Sequence, residues 1–181
     1  GAIYDFEEIK KISAFCKANR LPLHLDGARL MNAMVENGVG IKEYATQFDS
    51  ISLCLSKGLG APVGSVLIGK EDFINKSRRV RKVFGGGMRQ AGIIAAGGLY
   101  ALKNNVIRLK EDHVHAKALE STLNSLNWVK EVVPVDTNIV VAILEDTSKR
   151  DNILGELAKY DIKIMAFGPG MLRFVTHLDI S

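Results

Sequence analysis

Ile51-Ser52-Leu53-Cys54-Leu55-Ser56-Lys57-Gly58-Leu59-Gly60-Ala61-Pro62-Val63-Gly64-Ser65 joins an apolar run to a lysine and then to a chain of glycines. The run from Ile51 to Ser56 predicts a strand, and Lys57 stands where that strand ends. An ammonium at this point lies at the rim of a sheet, where α/β proteins hold their ligands. A lysine held there against apolar surroundings is a candidate Schiff-base nucleophile, whereas a lysine before glycine with no further context is ordinarily a solvated turn residue. Upstream, Leu21-Pro22-Leu23-His24-Leu25 predicts a second strand, followed by Asp26-Gly27-Ala28-Arg29 at the start of a helical pattern. The two strand ends together offer an amine, a carboxylate and a guanidinium.

The rest of the chain can be placed around these strands. Asp5 is a candidate N-cap for a helix carrying Phe6, Ile9, Ile12, Phe15 and Cys16 at helical spacing, and Asn19 is its candidate left-handed C-terminal residue. Further helices are predicted over 28–36, 41–47 and 70–83, a strand over 65–69, and a long helical region to 126 that breaks near Lys103-Asn104-Asn105. Beyond it the order becomes strand 129–135, strand 138–144, helix 148–160, strand 162–166 and strand 171–176. Alternating helices and strands predict an α/β fold with a mainly parallel sheet over residues 1–115. The paired strands with one covering helix predict a smaller α+β domain over 116–181.

Composition narrows the function classes. Hydrophobic residues make up 47% and charged residues 24% of 181, so the chain is globular rather than disordered or fibrous. The most apolar segment, Ala91 to Tyr100, is too short and too rich in glycine to span a membrane and predicts a buried helix. Cys16 and Cys54 lack metal-type spacing and are expected as buried, reduced thiols of a cytoplasmic protein. The net charge of +4 is mild. The basic cluster Lys76, Arg78, Arg79, Arg81 and Lys82 has no interleaved aromatics, so it reads as a solvated or subunit-facing helix surface rather than a nucleic-acid patch. His113 and His115 do not share a helix face, so no metal site is expected there. The start at Gly1, with a helix following almost at once, reads as a piece of a longer protein.

Pyridoxal phosphate asks a protein for an amine, a carboxylate and a phosphate cradle, and the first two are present. Lys57 supplies an amine to the aldehyde. Asp26 supplies a carboxylate to the pyridine nitrogen, although an Asp before Gly-Ala-Arg also serves as a helix cap. Arg29 and Arg173 are the candidates to hold a substrate carboxylate, because a guanidinium binds one in bidentate geometry. His24 shares a strand face with Asp26. The glycines from Gly58 to Gly64 miss the dinucleotide fingerprint in spacing. Gly85-Gly86-Gly87 is a candidate anion-binding turn.

Four strings carry a family resemblance in order: His24-Leu-Asp-Gly-Ala-Arg29, Cys54-Leu-Ser-Lys-Gly-Leu-Gly-Ala-Pro-Val-Gly-Ser65, Gly85-Gly-Gly-Met-Arg-Gln-Ala-Gly92 and Leu172-Arg-Phe-Val-Thr-His177. Together they resemble the C-terminal part of low-specificity L-threonine aldolases, across nearly the whole chain. The resemblance implies a fold-type I enzyme with pyridoxal 5'-phosphate as cofactor. It implies cleavage of L-threonine or L-allo-threonine, a small amino-acid substrate, to glycine and acetaldehyde. It further implies that Lys57 carries the cofactor as an internal aldimine, that Asp26 pairs with the ring nitrogen, and that Arg29 serves cofactor and substrate. Arg173 matches the carboxylate-binding arginine, and Arg89, Lys82, Ser56 and His24 fall near the site. A cytoplasmic homo-oligomer, dimer or tetramer, with no nucleic-acid or membrane partner, is the implied setting. The family's phosphate-binding turn and ring-stacking histidine precede the stretch matched by Gly1. The alternatives are a related β-eliminating lyase, or an inactive fragment that retains the oligomer interface.

Overall fold

The computed structural model describes residues 1–180. Its contacts divide the chain into two units, Tyr4–Arg108 and Leu109 onward with Gly1–Ile3, a division upstream of the 115/116 boundary read from the sequence.

In the first unit, helix α1 (Phe6–Ala18) starts where Asp5 accepts hydrogen bonds from the amides of Glu7 and Glu8. The left-handed residue after it is Arg20, φ 55°, and not Asn19. Asn19 instead donates its carboxamide to the Phe15 carbonyl at 2.8 Å. Strand β1 (His24–Gly27) begins later than predicted. Pro22 has no N–H to offer a ladder, and Leu23 is bonded to Asp49 through both its N–H and its carbonyl. Asp26 therefore lies within the strand rather than after it. Helix α2 (Leu30–Asn37) follows a turn at Ala28 and Arg29, and α3 (Ile41–Ala45) is short. Strand β2 (Ser50–Cys54) runs parallel to β1 and antiparallel to β3 (Ser65–Gly69), giving the order β1-β2-β3. The β2–β3 connection is a closed turn with no crossover helix, so the third strand returns antiparallel.

Strand β2 alternates, with Ile51 and Leu53 buried and Ser50, Ser52 and Cys54 half-buried on the opposite face. Cys16 and Cys54 are free thiols and half-buried, not buried as predicted. Helix α4 (Glu71–Val83) has no buried residue, which agrees with its basic composition. Helix α5 (Gly92–Asn104) corrects the expectation of a buried helix: only Gly98 and Ala101 are buried, while Ile93 is 89% exposed. Gly97 and Gly98 face the turn after β2. A Cβ on Gly98 would stand 2.9 Å from Leu55 Cδ1, and one on Gly97 2.9 Å from Pro62 Cδ. The rest of its apolar surface has no cover within the unit.

The second unit starts with α6 (Leu109–Asn124), after the break that the sequence placed near 103–105. An antiparallel sheet of order β4-β5-β7-β6 follows, from β4 (Val129–Val132), β5 (Ile139–Leu144), β6 (Met165–Ala166) and β7 (Met171–Val175). A 3-10 turn (Thr147–Lys149) leads into α7 (Arg150–Ala158). Val140, Ala142 and Leu172, each 0% exposed, form the centre of the core, covered by Ala116 and Leu123 of α6 and by Ile153 and Leu154 of α7. At roughly 1.5–3 kcal/mol for each large side chain removed from water, this face is the main source of stability in the unit. The end of β7 is tied down by buried polar groups. Thr176 donates its hydroxyl to the Asp112 carbonyl at 2.6 Å, and Asn138 donates its carboxamide to the Thr176 carbonyl at 2.7 Å.

Candidate functional site

The parallel pair in the first unit fixes the site. His24 lies opposite Ser50 and Asp26 opposite Ser52, and both strands run the same way. The Asp26–Arg29 turn and the Lys57 turn therefore leave the same, carboxyl, edge of the pair, where ligands bind in open α/β sheets. On β3, Ser65 pairs with Cys54. One face of this sheet thus carries His24, Asp26, Ser50, Ser52, Cys54 and Ser65, small or polar side chains interrupted by Leu67 opposite Ser52.

Lys57 lies beyond the strand, in a loop that its neighbours hold closely. Leu55 donates its N–H to Gly64, Ala61 to Leu55, and Gly60 to Lys57, all at 2.9–3.0 Å. Asn105 donates its carboxamide to the Leu59 carbonyl at 2.8 Å. Leu55, Gly58, Leu59 and Ala61 are buried, whereas Ser56 and Lys57 are exposed. The amine is thus presented on a packed loop three residues past the end of β2, not directly at the strand's end as predicted. Among the described residues no carboxylate is paired with Lys57 Nζ.

Asp26 is exposed, and its Oδ1 accepts the Ala28 amide at 3.1 Å. The carboxylate therefore organises the turn before α2, while the N-cap position belongs to Arg29. Its Oδ2 has no partner among the described residues. Arg29 is half-buried at the start of α2. His24 does not act on Asp26: its Nδ1 lies 2.8 Å from Ser50 Oγ, across the strand pair. Ser56 Oγ lies 3.7 Å from Cys54 Sγ. Burial pushes the Cys54 thiol up, but hydrogen bonds from Ser56 and Ser65 and the positive charge of Lys57 outweigh it, so the thiol stands below its ordinary value.

Lys82 is exposed on the last turn of α4, and its side chain lies against Gly87, where a Cβ would collide with Lys82 Cδ. Arg89 is exposed in the following loop. Arg173 lies in the second unit, half-buried on the interior strand β7, with its guanidinium 5.8 Å from the centre of the Phe167 ring. A cleft of the first unit, between β3 and α4, is lined by Ser65, Val66, Leu67, Ile74, Ser77, Arg78 and Arg81 and contains none of the predicted site residues. Among the described residues no cluster of His, Cys, Asp and Glu is placed to hold a metal, and no helix is long and apolar enough to cross a membrane.

The sequence reading missed Ser50, Ser52 and Ser65. Their signal is the alternation Ser-Ile-Ser-Leu-Cys from residue 50, which a reading of 51–56 as one apolar run conceals.

A parallel pair presenting an amine and a carboxylate at its carboxyl edge, in a chain that also carries a small antiparallel unit, agrees with the fold-type I α/β class. The backbone agrees: a protein assigned as an L-allo-threonine aldolase from Listeria monocytogenes matches 98% of this chain with a TM-score of 0.83 at 25% identity, over 52% of its own length. The profile of the beta-eliminating lyases matches residues 1–147, and the chain belongs to that family. The low-specificity L-threonine aldolase of Candida albicans is 48% identical over all of this chain and 47% of its own length. That of Escherichia coli K12 is 44% identical over all of this chain and 53% of its own length. The chain spans about half the length of the curated relatives it matches.

Proposed function

We propose that this chain carries the cofactor-holding lysine of a cytoplasmic, homo-oligomeric, pyridoxal-phosphate-dependent threonine aldolase, which cleaves L-threonine and L-allo-threonine to glycine and acetaldehyde. The observation that carries the reading is an amine without a carboxylate partner, Lys57, on a packed loop at the same sheet edge as Asp26, whose Oδ2 is open. Those two groups fit the aldehyde and the ring nitrogen of pyridoxal phosphate. When bound, that cofactor supplies an electron sink for the pair released as the Cα–Cβ bond breaks.

The chain's own residues do the rest. Lys57 Nζ would hold the cofactor through its aldehyde. Asp26 would keep a proton on the ring nitrogen, since a carboxylate beside it favours the charged form. Arg29 and Arg173 are the candidates to bind the substrate carboxylate, and Arg89 and Lys82 would add positive charge toward the anionic cofactor. The small face of Ser50, Ser52 and Cys54 leaves room for a flat ring over the sheet.

The family profile favours one second reading, elimination at Cβ by a related lyase. Steady-state assays of the full-length protein with L-threonine, L-allo-threonine and β-substituted alanines separate the two. Acetaldehyde release from the first two substrates is expected. Turnover of the substituted alanines alone would overturn the aldolase reading.

A further inference from the structure

Arg173 is unusual among the charged residues of the second unit. It is half-buried on an interior strand, opposite Val141 on β5 and Met165 on β6, and among the described residues no carboxylate pairs with it. Its contact is the face of the Phe167 ring, 5.8 Å from the guanidinium carbon. A guanidinium lying over a ring through a cation–π contact keeps N–H groups free for a bidentate partner.

The backbone of Phe167 is held by the β6–β7 hairpin. Phe167 donates its N–H to the Met171 carbonyl at 3.0 Å, and the turn between them uses Gly168 and Gly170 at φ 76° and 63°. A Cβ on Gly170 would collide with Thr147, so the hairpin packs directly on the 3-10 turn. From the start of α7, Arg150 Nη1 donates to the Gly168 carbonyl at 2.9 Å, while its Nε is fixed on Asp151 Oδ1 at 2.8 Å. Leu144 donates its N–H to the Gly170 carbonyl at 2.9 Å.

We propose that Phe167 is the positioning residue for Arg173, and that the hairpin latched by Arg150 sets the direction in which that guanidinium meets a substrate carboxylate. The inference rests on the reading of Arg173 as a carboxylate binder. An unrestrained arginine loses much rotamer freedom on binding; one already resting over a ring on an anchored hairpin loses less. The device therefore acts on affinity and leaves the chemical step alone.

The test compares KM and kcat for L-threonine in the full-length protein. Phe167→Leu is expected to raise KM about two- to five-fold with kcat unchanged, the range of an exposed cation–π contact. Phe167→Tyr is expected to keep the wild-type KM, and Arg150→Met, which unlatches the hairpin, to raise KM in the same direction. Arg173→Gln is the reference and is expected to raise KM at least about ten-fold. If Arg173→Gln raises KM while Phe167→Leu does not, or if tyrosine fails to restore it, the positioning role is overturned and the carboxylate reading survives. If Arg173→Gln leaves KM unchanged, the carboxylate reading fails and takes this inference with it.

Discussion

The four-stranded sheet of the second unit keeps one face dry, with Val140, Ala142 and Leu172 at 0% exposure under α6 and α7. The three-stranded sheet of the first unit leaves every residue of β3 exposed and gives one face serines, a thiol, His24 and Asp26, with Leu67 its one large apolar side chain. The difference separates stability from chemistry. Alternation in β5 and β7 directs bulky side chains inward, so that unit is held by its own core. Alternation in β1 and β2 puts Asp26, Ser50, Ser52 and Cys54 on a face that no core residue fills, so that face is free to hold a ligand.

Substitutions that act on one unit and not the other can break this comparison. The largest effect is expected from Asp26→Asn, which removes the charge beside the ring nitrogen: kcat falls by about two to four orders of magnitude, and the thermal midpoint stays close to wild type. A comparable loss of stability would assign Asp26 to the turn instead.

In the second unit, Leu172→Ala should cost about 2–5 kcal/mol in chemical denaturation, as a cavity in a core that cannot collapse. Ile93→Ala on exposed α5 should stay within about 0.5 kcal/mol, and similar costs for the two would erase the contrast. Thr176→Val keeps the shape but leaves a buried carbonyl without its hydroxyl, so a loss of about 1–3 kcal/mol is expected, restored by Thr176→Ser.

The smallest effect concerns Cys54. Because its thiol stands below the ordinary value, alkylation by iodoacetamide should rise with pH and reach half its maximal rate below the usual cysteine range, near about 8.5. Removing the nearby charge with Lys57→Met should move that midpoint upward. A midpoint unmoved by Lys57→Met would place the lysine too far from β2 to act on it.

Much of this arrangement was legible in the sequence because local signals coincided with tertiary ones. Asp5 caps α1 as its spacing required, β3 spans Ser65–Gly69 as predicted, and the helical region breaks just after Asn104. Strand ends were less legible, since pairing rather than hydropathy determines them. β1 begins where His24 meets Ser50, and β2 stops where Leu55 turns to bond Gly64. That is why Asp26 lies inside a strand and Lys57 outside one. The exposure of α5 was hidden because composition records that Ile93 and Leu99 are apolar, not whether anything in the unit covers them. The serine face could have been read from its alternation. The partner of Arg173 could not, because Phe167 reaches it only through a hairpin shaped by glycines with positive φ.

The central claim is that Lys57 is the amine that holds the cofactor. It is tested most directly by titrating the full-length protein and its Lys57→Ala variant with pyridoxal phosphate and following the visible absorbance band of the protein-bound imine. The account predicts a saturable band in the wild type and none in the variant, with far-ultraviolet circular dichroism unchanged between them. A band of equal intensity in Lys57→Ala would contradict it and place the chemistry on another lysine.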